Sequence, residues 1–200
     1  GTGMLAQREK MDIVTNNIIN VDTTGYKKDM LITRSFKDMM IQSMNGQDIG
    51  PLNTGIHVDD VVTSFEQGNL EQTDRLTDVA LEGDGFFAVN TPAGVRYTRD
   101  GAFAVSRDGY LVNSEGNYIQ GVTGNIFVGS GEFTIDEQGY VTVNGQTVNR
   151  LLLVTFENLA GLEKVGSNMF AQGAAGAPQQ ATGCLVKQGY LETSNVNMAE

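Results

Sequence analysis

Apolar residues recur at two different periods along this 200-residue chain, and the change of period divides it. Met4, Met11, Val14, Ile18 and Val21 are separated by 7, 3, 4 and 3 positions, with Gln7 the one polar residue in the series. That is an a/d seam, and it predicts an N-terminal helix of coiled-coil type. Asn16, Asn17 and Asn20 lie off the seam, and so do Ile13 and Ile19, so more than one face is apolar. A helix this short is marginal alone in water and needs a partner. Asp22-Thr23-Thr24-Gly25 ends it with turn-forming side chains and a glycine able to take positive φ.

Residues 26–45 read two ways. Ile32, Phe36, Met39 and Met40 have helical spacing with Ser35 as a cap, whereas the β-branched residues before Ser35 suit an extended segment. Gly46 to Gly55, containing Pro51, reads as a loop, and Ile56 to Phe65 alternates as a strand does. From about residue 79 the pattern is uniformly β. Phe86–Val89, Ala102–Val105, Tyr110–Val112, Ile126–Val128, Tyr140–Val143 and Leu151–Phe156 are short apolar runs between turn signals. Asp100-Gly101, Asp108-Gly109, Glu115-Gly116 and Asn144-Gly145 favour two-residue hairpin turns. Leu151–Val154, apolar on both faces, is the candidate for the most buried strand. Gly173 to Gly183 is small and polar, and reads as a flexible connector. Asn197 to Glu200 resembles a helix start, Asn capping and Glu three residues on. The chain stops where that helix would begin, and Gly1-Thr2-Gly3 looks like a scar or a start within a helix, not a natural beginning. The expectation is a truncated C-terminal helix that would pair with residues 4–21.

The fold class expected is therefore mainly β with helical termini: a glycine-punctuated antiparallel β domain carried on an N-terminal helix whose C-terminal partner is truncated. The expected division is 1–25 helix and turn, 26–74 extended connector, 75–172 β domain, and 173–200 return linker and helix start. The 25 Gly against three Pro support this, because they fall singly between apolar stretches instead of clustering.

Charge sharpens the division. Residues 1–50 carry six basic and six acidic side chains; the rest carry seven and eighteen, which accounts for the whole net −11. Such an acidic chain lacks the basic face that a nucleic acid or anionic membrane requires, and no apolar run is long enough to span a bilayer. No cleaved secretory signal opens the chain. A single Cys184 excludes an internal disulfide, and a single His57 leaves little for acid–base chemistry at neutral pH.

Candidate chemistry is thin. Gly83-Asp84-Gly85-Phe86-Phe87-Ala88 matches a dinucleotide fingerprint, but it precedes a strand-like run, not a helix, and reads as a tight turn. The Asp-Gly loops at 97–101 and 106–109 place arginine where calcium needs oxygen ligands. His57 and Cys184, oriented by Asp59 or Asp60, would make a nucleophile pair, yet Cys184 sits in the Gly/Ala-rich connector. Glu66, Glu71, Glu82 and Glu132 offer a glycosidase pair, but the chain has no Trp to line a sugar cleft. No catalytic, cofactor or metal residue is expected. A secreted carbohydrate-binding module and an acidic hydrolase are the rival classes to an assembly subunit.

Specific segments carry a resemblance. Thr15-Asn16-Asn17-Ile18-Ile19-Asn20-Val21-Asp22-Thr23-Thr24-Gly25-Tyr26-Lys27 is similar to the N-terminal signature of bacterial flagellar rod and hook proteins, departing from it at Ile18 and Ile19. Gln67-Gly68-Asn69-Leu70-Glu71-Gln72-Thr73, Asp78 to Phe87 with Gly83, Gly85, Phe86 and Phe87, and Tyr97 to Gly101 follow in the family's order. Gln188 to Asn197, with Gly189, Leu191, Ser194, Asn195 and Val196, resembles the exit toward a C-terminal helix, most like the distal-rod type. The proximal rod remains open, and there is no room for the additional outer domain usual in hook proteins.

The resemblance implies a structural subunit, exported through the flagellum's own type III apparatus into the cell envelope. It would assemble as a helical tube that transmits torque and lets exported subunits pass. It also implies partners: further copies of the chain, other rod proteins, the hook and the ring bushing. The motif residues it assigns to assembly are those named above together with Met11 and Val14. Without its partner helix, the chain is expected to be a monomer or weak dimer in dilute solution.

Overall fold

A computed structural model describes residues 2–35 and 57–199. The helix, α1 (Thr2–Ile19), forms where the spacing placed it. Its last turn closes on side chains, with Asn20 Nδ2 donating to the Asn16 carbonyl at 2.8 Å and Thr23 Oγ1 donating to Asn20 Oδ1 at 3.0 Å. Gly25 then takes φ +69°, the left-handed conformation expected of it. The seam, however, faces solvent. Met4, Met11, Val14 and Ile18 are all exposed, Met11 by 67%, and so are Leu5 and Ile19.

The ambiguous stretch after the helix is extended over β1 (Asp29–Ser35), which pairs antiparallel with β2 (His57–Thr63), Ile32 opposite Asp60. Cross-strand pairing of Leu31 and Ile32 with Val61 and Asp60 decides for strand over helix at Ile32. Phe36, Met39, Met40, the loop Gly46–Gly55 and Ile56 lie outside the described residues.

The remaining strands are antiparallel, as the turn rhythm predicted, and no helix interrupts residues 85–143. In the largest sheet, β3 (Phe86–Thr91) pairs with Gly94–Thr98 on one side and with Tyr118–Gly121 and Leu153–Thr155 on the other. Phe87 and Val89 enter one hydrophobic cluster with Val79, Leu81, Leu111 and Ile119; Phe86 and Ala88 enter a second with Tyr97, Phe156 and Phe170. The four-residue apolar run Phe86–Val89 is thus explained by a core on each face. It is also more buried than Leu151–Val154, where Leu152 is half-exposed, so the expected most-buried strand is corrected. Leu153–Thr155 nonetheless lies between β3 and Gln179–Gln180, away from the sheet edge. A meander of Phe133–Ile135, Tyr140–Val143 and Gln146–Arg150 closes over the first cluster.

Asn144 and Gly145, at φ +51° and +80°, make the two-residue turn expected of them. The other Asp/Glu-Gly pairs do not. Asp108-Gly109 and Glu115-Gly116 sit within longer loops, between Val105 and Leu111 and between Val112 and Tyr118. Asp100-Gly101 makes no hairpin at all. Gly101 is required there because a Cβ would fall 1.5 Å from the Val79 carbonyl oxygen.

Gly173 to Gly183 is also corrected. The segment buries Ala175, adds the strand Gln179–Gln180 to the sheet, and delivers Cys184 into the first core cluster. Two short pairings then bring the chain's last part back along its earlier course. Leu185–Gln188 pairs with Val79–Glu82, and Tyr190–Glu192 pairs with Leu70–Gln72.

Candidate functional site

The base of α1 is held by the residues that follow its closing turn. Tyr26 and Lys27 are wholly buried although they stand between an exposed helix and a two-stranded ribbon. Asn17 explains part of this. Its Oδ1 accepts from the Tyr26 hydroxyl at 3.0 Å and from the Asp29 amide at 3.1 Å, while its Nδ2 donates to the Asp29 carbonyl at 2.8 Å. Asn16 Nδ2 donates to the Tyr26 hydroxyl at 3.3 Å. One helical turn is thereby fastened to the start of β1.

The Tyr26 ring is capped by Lys164, whose Nζ lies 4.4 Å from the ring centroid. The same ammonium donates to the Lys27 carbonyl at 2.7 Å and pairs with Asp29 Oδ2 at 3.1 Å. Burial, with the Asp29 carboxylate adding to it, pushes the Tyr26 phenol up to about 12. Burial lowers the Lys164 ammonium, and the Asp29 carboxylate opposes that shift.

Below Tyr26 lies a buried ionic triad. Glu192, with no exposed surface, accepts from Lys27 Nζ and from the Gly68 amide at Oε1, and from Arg99 Nε at 2.7 Å at Oε2. Arg99 spends its other donors on the carbonyls of Leu81, Gly83 and Gly85, at 2.7 to 2.9 Å. Lys27 Nζ also donates to the Glu66 carbonyl at 2.8 Å. Burial lowers the Lys27 ammonium below its ordinary range; Glu192 opposes that shift and Arg99 adds to it. Each charge in the triad has an opposite charge and further hydrogen bonds, the condition under which buried ions are tolerated.

The backbone around the triad comes from five distant segments. Gly25 N–H donates to the Glu192 carbonyl at 2.8 Å, and Asn195 N–H to the Tyr26 carbonyl at 3.3 Å. Asn195 Oδ1 accepts from the Lys28 amide, and its Nδ2 donates to the carbonyls of Ser64 and Glu66. Gln67 Oε1 accepts from the Gly83 amide. Gly68 passes so close to Thr193 that a Cβ would lie 2.0 Å from its carbonyl oxygen. Asn168 joins the Thr24 carbonyl to the Asp100 carboxylate.

Most of the expected motif residues therefore converge on this junction: Asn16, Asn17, Asn20, Thr24, Gly25, Tyr26, Gln67, Gly68, Gly83, Gly85, Phe86 and Asn195. Leu70 pairs with Glu192, Gly189 turns at φ +84°, and Leu191, Ser194 and Val196 line the returning segment. Phe87 lies apart in the first core cluster, and Met11, Val14 and Ile18 are exposed on α1, with Val21 half-buried beyond it. The expected assembly residues do not include the charged members Glu192, Arg99, Lys27 and Lys164, nor the amide Asn168. Lys27, Arg99 and Glu192 stand inside segments that carry the resemblance, but nothing local marks Glu192 as buried.

Chemically the junction binds parts of the chain to one another. The Gly83-Asp84-Gly85 turn feeds β3, and two of its carbonyls are taken by Arg99. A cleft of about 150 Å³ beside it is lined by Phe65, Phe86, Phe156 and Leu159 together with Lys27 and Arg99. Among the described residues, no group of three or more His, Cys, Asp or Glu side chains comes together as metal ligands would. Burial raises the Cys184 thiol, which is the opposite of what a nucleophile needs.

Residues 80–143 match the family model described as the flagellar hook protein FlgE/F/G D1 domain, and residues 1–27 that of the flagella basal body rod protein. The flagellar basal-body rod protein FlgG of Buchnera aphidicola subsp. Schizaphis graminum is 37% identical over 223 residues, covering 100% of this chain and 84% of that one. FlgG of Bacillus subtilis is 34% identical over 225 residues with the same coverage. The rod protein FlgF of Caulobacter vibrioides is 34% identical over 200 residues, covering 94% of this chain and 77% of its own.

Proposed function

Because the chain belongs to the family of flagellar basal-body rod proteins, we propose that it is a rod subunit of the distal type, whose junction at Glu192 passes load from α1 into the β domain. It is a structural protein of the flagellar basal body and assembles with other axial components of the flagellum. The family is structural, and we read this member as having no catalytic role. The observation that carries the mechanical reading is the convergence of residues 16–28, 64–68, 83–85, 99–100 and 189–195 on one satisfied polar network. A buried network with each member paired resists bending, because any displacement strands a charge in an apolar setting.

In this reading the copies form a helical tube that transmits torque across the envelope and leaves a passage for exported subunits. The chain reaches the envelope through the flagellum's own export apparatus. Its neighbours are further copies, other rod proteins, the hook and the ring bushing. A proximal-rod role is the second reading, favoured by the similarity to FlgF over 94% of the chain.

Deletion of the gene in its own bacterium separates the two. A distal subunit's loss leaves basal bodies with the inner part of the rod and no hook. Loss of a proximal subunit removes that inner part as well, and intact basal bodies after deletion would refute both.

A further inference from the structure

The junction joins the beginning of the chain to its end, and that geometry imposes an order. Lys27 and Glu192 are 165 residues apart. Four bonds tie the anchor Gly25–Lys28 to the far end: the Gly25 amide to the Glu192 carbonyl, the Lys28 amide to Asn195, the Asn195 amide to the Tyr26 carbonyl, and Lys27 Nζ to Glu192. Both hydrophobic clusters, by contrast, are built from residues beyond Ser64, and Arg99 has three carbonyl partners within that core. Before Glu192 arrives, docking Lys27 would bury two cations, Lys27 and Arg99, without an anion.

We propose that Glu192 is a closing latch: the β core forms first, and the base of α1 is fixed to it only when Glu192 seats between Arg99 and Lys27. Glu192 acts here as a positioning residue. Until the latch closes, α1 is tethered but not oriented, so a copy whose returning segment is unseated presents no fixed helix to its neighbours. The inference deepens the rod-subunit reading in its last step only, since the latch can be present in a protein of any function.

The test is hydrogen exchange on the full chain. The reporters are the amides of Gly25, Lys28 and Gly68 at the junction, and those of Leu111 and Val128 in the core, which bond to Ile126 and Gly109. In Glu192→Gln the junction amides exchange faster by roughly a hundredfold or more, the cost of leaving buried charges unpaired, while the core amides keep their protection. Lys27→Met leaves Arg99 and Glu192 paired and neutral, and accelerates the same amides less than about tenfold. Equal effects of the two variants, or equal loss of protection in the core, would overturn the latch. Should Glu192→Gln not fold, pulse labelling during refolding of the unaltered chain decides. Leu111 and Val128 gain protection before Gly25 and Lys28 if the latch closes last; simultaneous or reversed order overturns it. Failure of the latch leaves the rod assignment standing, because gene deletion tests that separately.

Discussion

Gly25 lies so close against Asp100 that a Cβ on it would stand 2.5 Å from the Asp100 amide nitrogen. The glycine is fixed twice over, by this approach to backbone and by its φ of +69°. Gly25→Ala should destabilise the folded chain by about 2–4 kcal/mol, combining left-handed strain with a contact that only backbone movement relieves. Gly25→Val costs more and should abolish motility. Thermal melting of the purified variants checks the first statement, and swimming of the corresponding strains the second. Unchanged melting would mean that the close contact is not made.

Tyr26 supplies a pH test. Its phenol, held up to about 12 by burial, should give a high-pH step in an ultraviolet titration of the folded protein. Tyr97 is raised by burial too, so the assignment rests on Tyr26→Phe, which should remove that step. Because the folded value exceeds the unfolded one, the stabilisation is fully present below pH 10 and is lost as pH rises from 10 towards 12. The loss amounts to about 2–3 kcal/mol at most. Lys27 works with the opposite sign: its lowered value means that raising pH towards 10.5 relieves a burial cost. The net decline should therefore begin above that point.

Asn17 fastens α1 through three hydrogen bonds to Tyr26 and Asp29. Asn17→Ala strands the backbone amide and carbonyl of Asp29 and should loosen the helix base by about 1–3 kcal/mol. The expected sign is faster amide exchange at Asp29 with protection at Leu111 retained. Loss at both positions alike would show that the helix base is not a separate unit.

Met11 and Ile18 separate folding from assembly. Both are exposed, so Met11→Ser with Ile18→Ser should change the melting of the isolated chain by no more than about 0.5 kcal/mol. The same pair should prevent incorporation into rods, because these side chains then have no apolar surface to offer a neighbour. Normal motility with both substitutions would remove the seam from the assembly interface.

The β rhythm was legible because period two and single glycines survive in any context, and Asn144-Gly145 and Gly25 adopt the conformations their chemistry favours. The pairing at the junction was not legible. Glu192 stands in Tyr190-Leu191-Glu192-Thr193, where it reads as an ordinary surface acid, and its partners are 93 and 165 residues away. Asp100-Gly101 misleads for a related reason: the glycine is demanded by the Val79 carbonyl pressed against it, a constraint with no local signature. The composition of Gly173 to Gly183 suggests a loose connector, yet its small residues allow tight packing, with Gly173 against the Gly161 carbonyl and Ala175 in the core. The period places the helix over Met4 to Ile18 but leaves Val21 beyond its end, and period says nothing about what covers the seam.

The rod assignment is tested most directly by electron cryo-microscopy of basal bodies purified from the bacterium that encodes this chain. The account predicts helically repeated density for the chain in the rod wall, with α1 and the β domain joined at the position of Lys27, Arg99 and Glu192. A rod whose wall can be traced completely with other proteins, leaving no place for this chain, would contradict it.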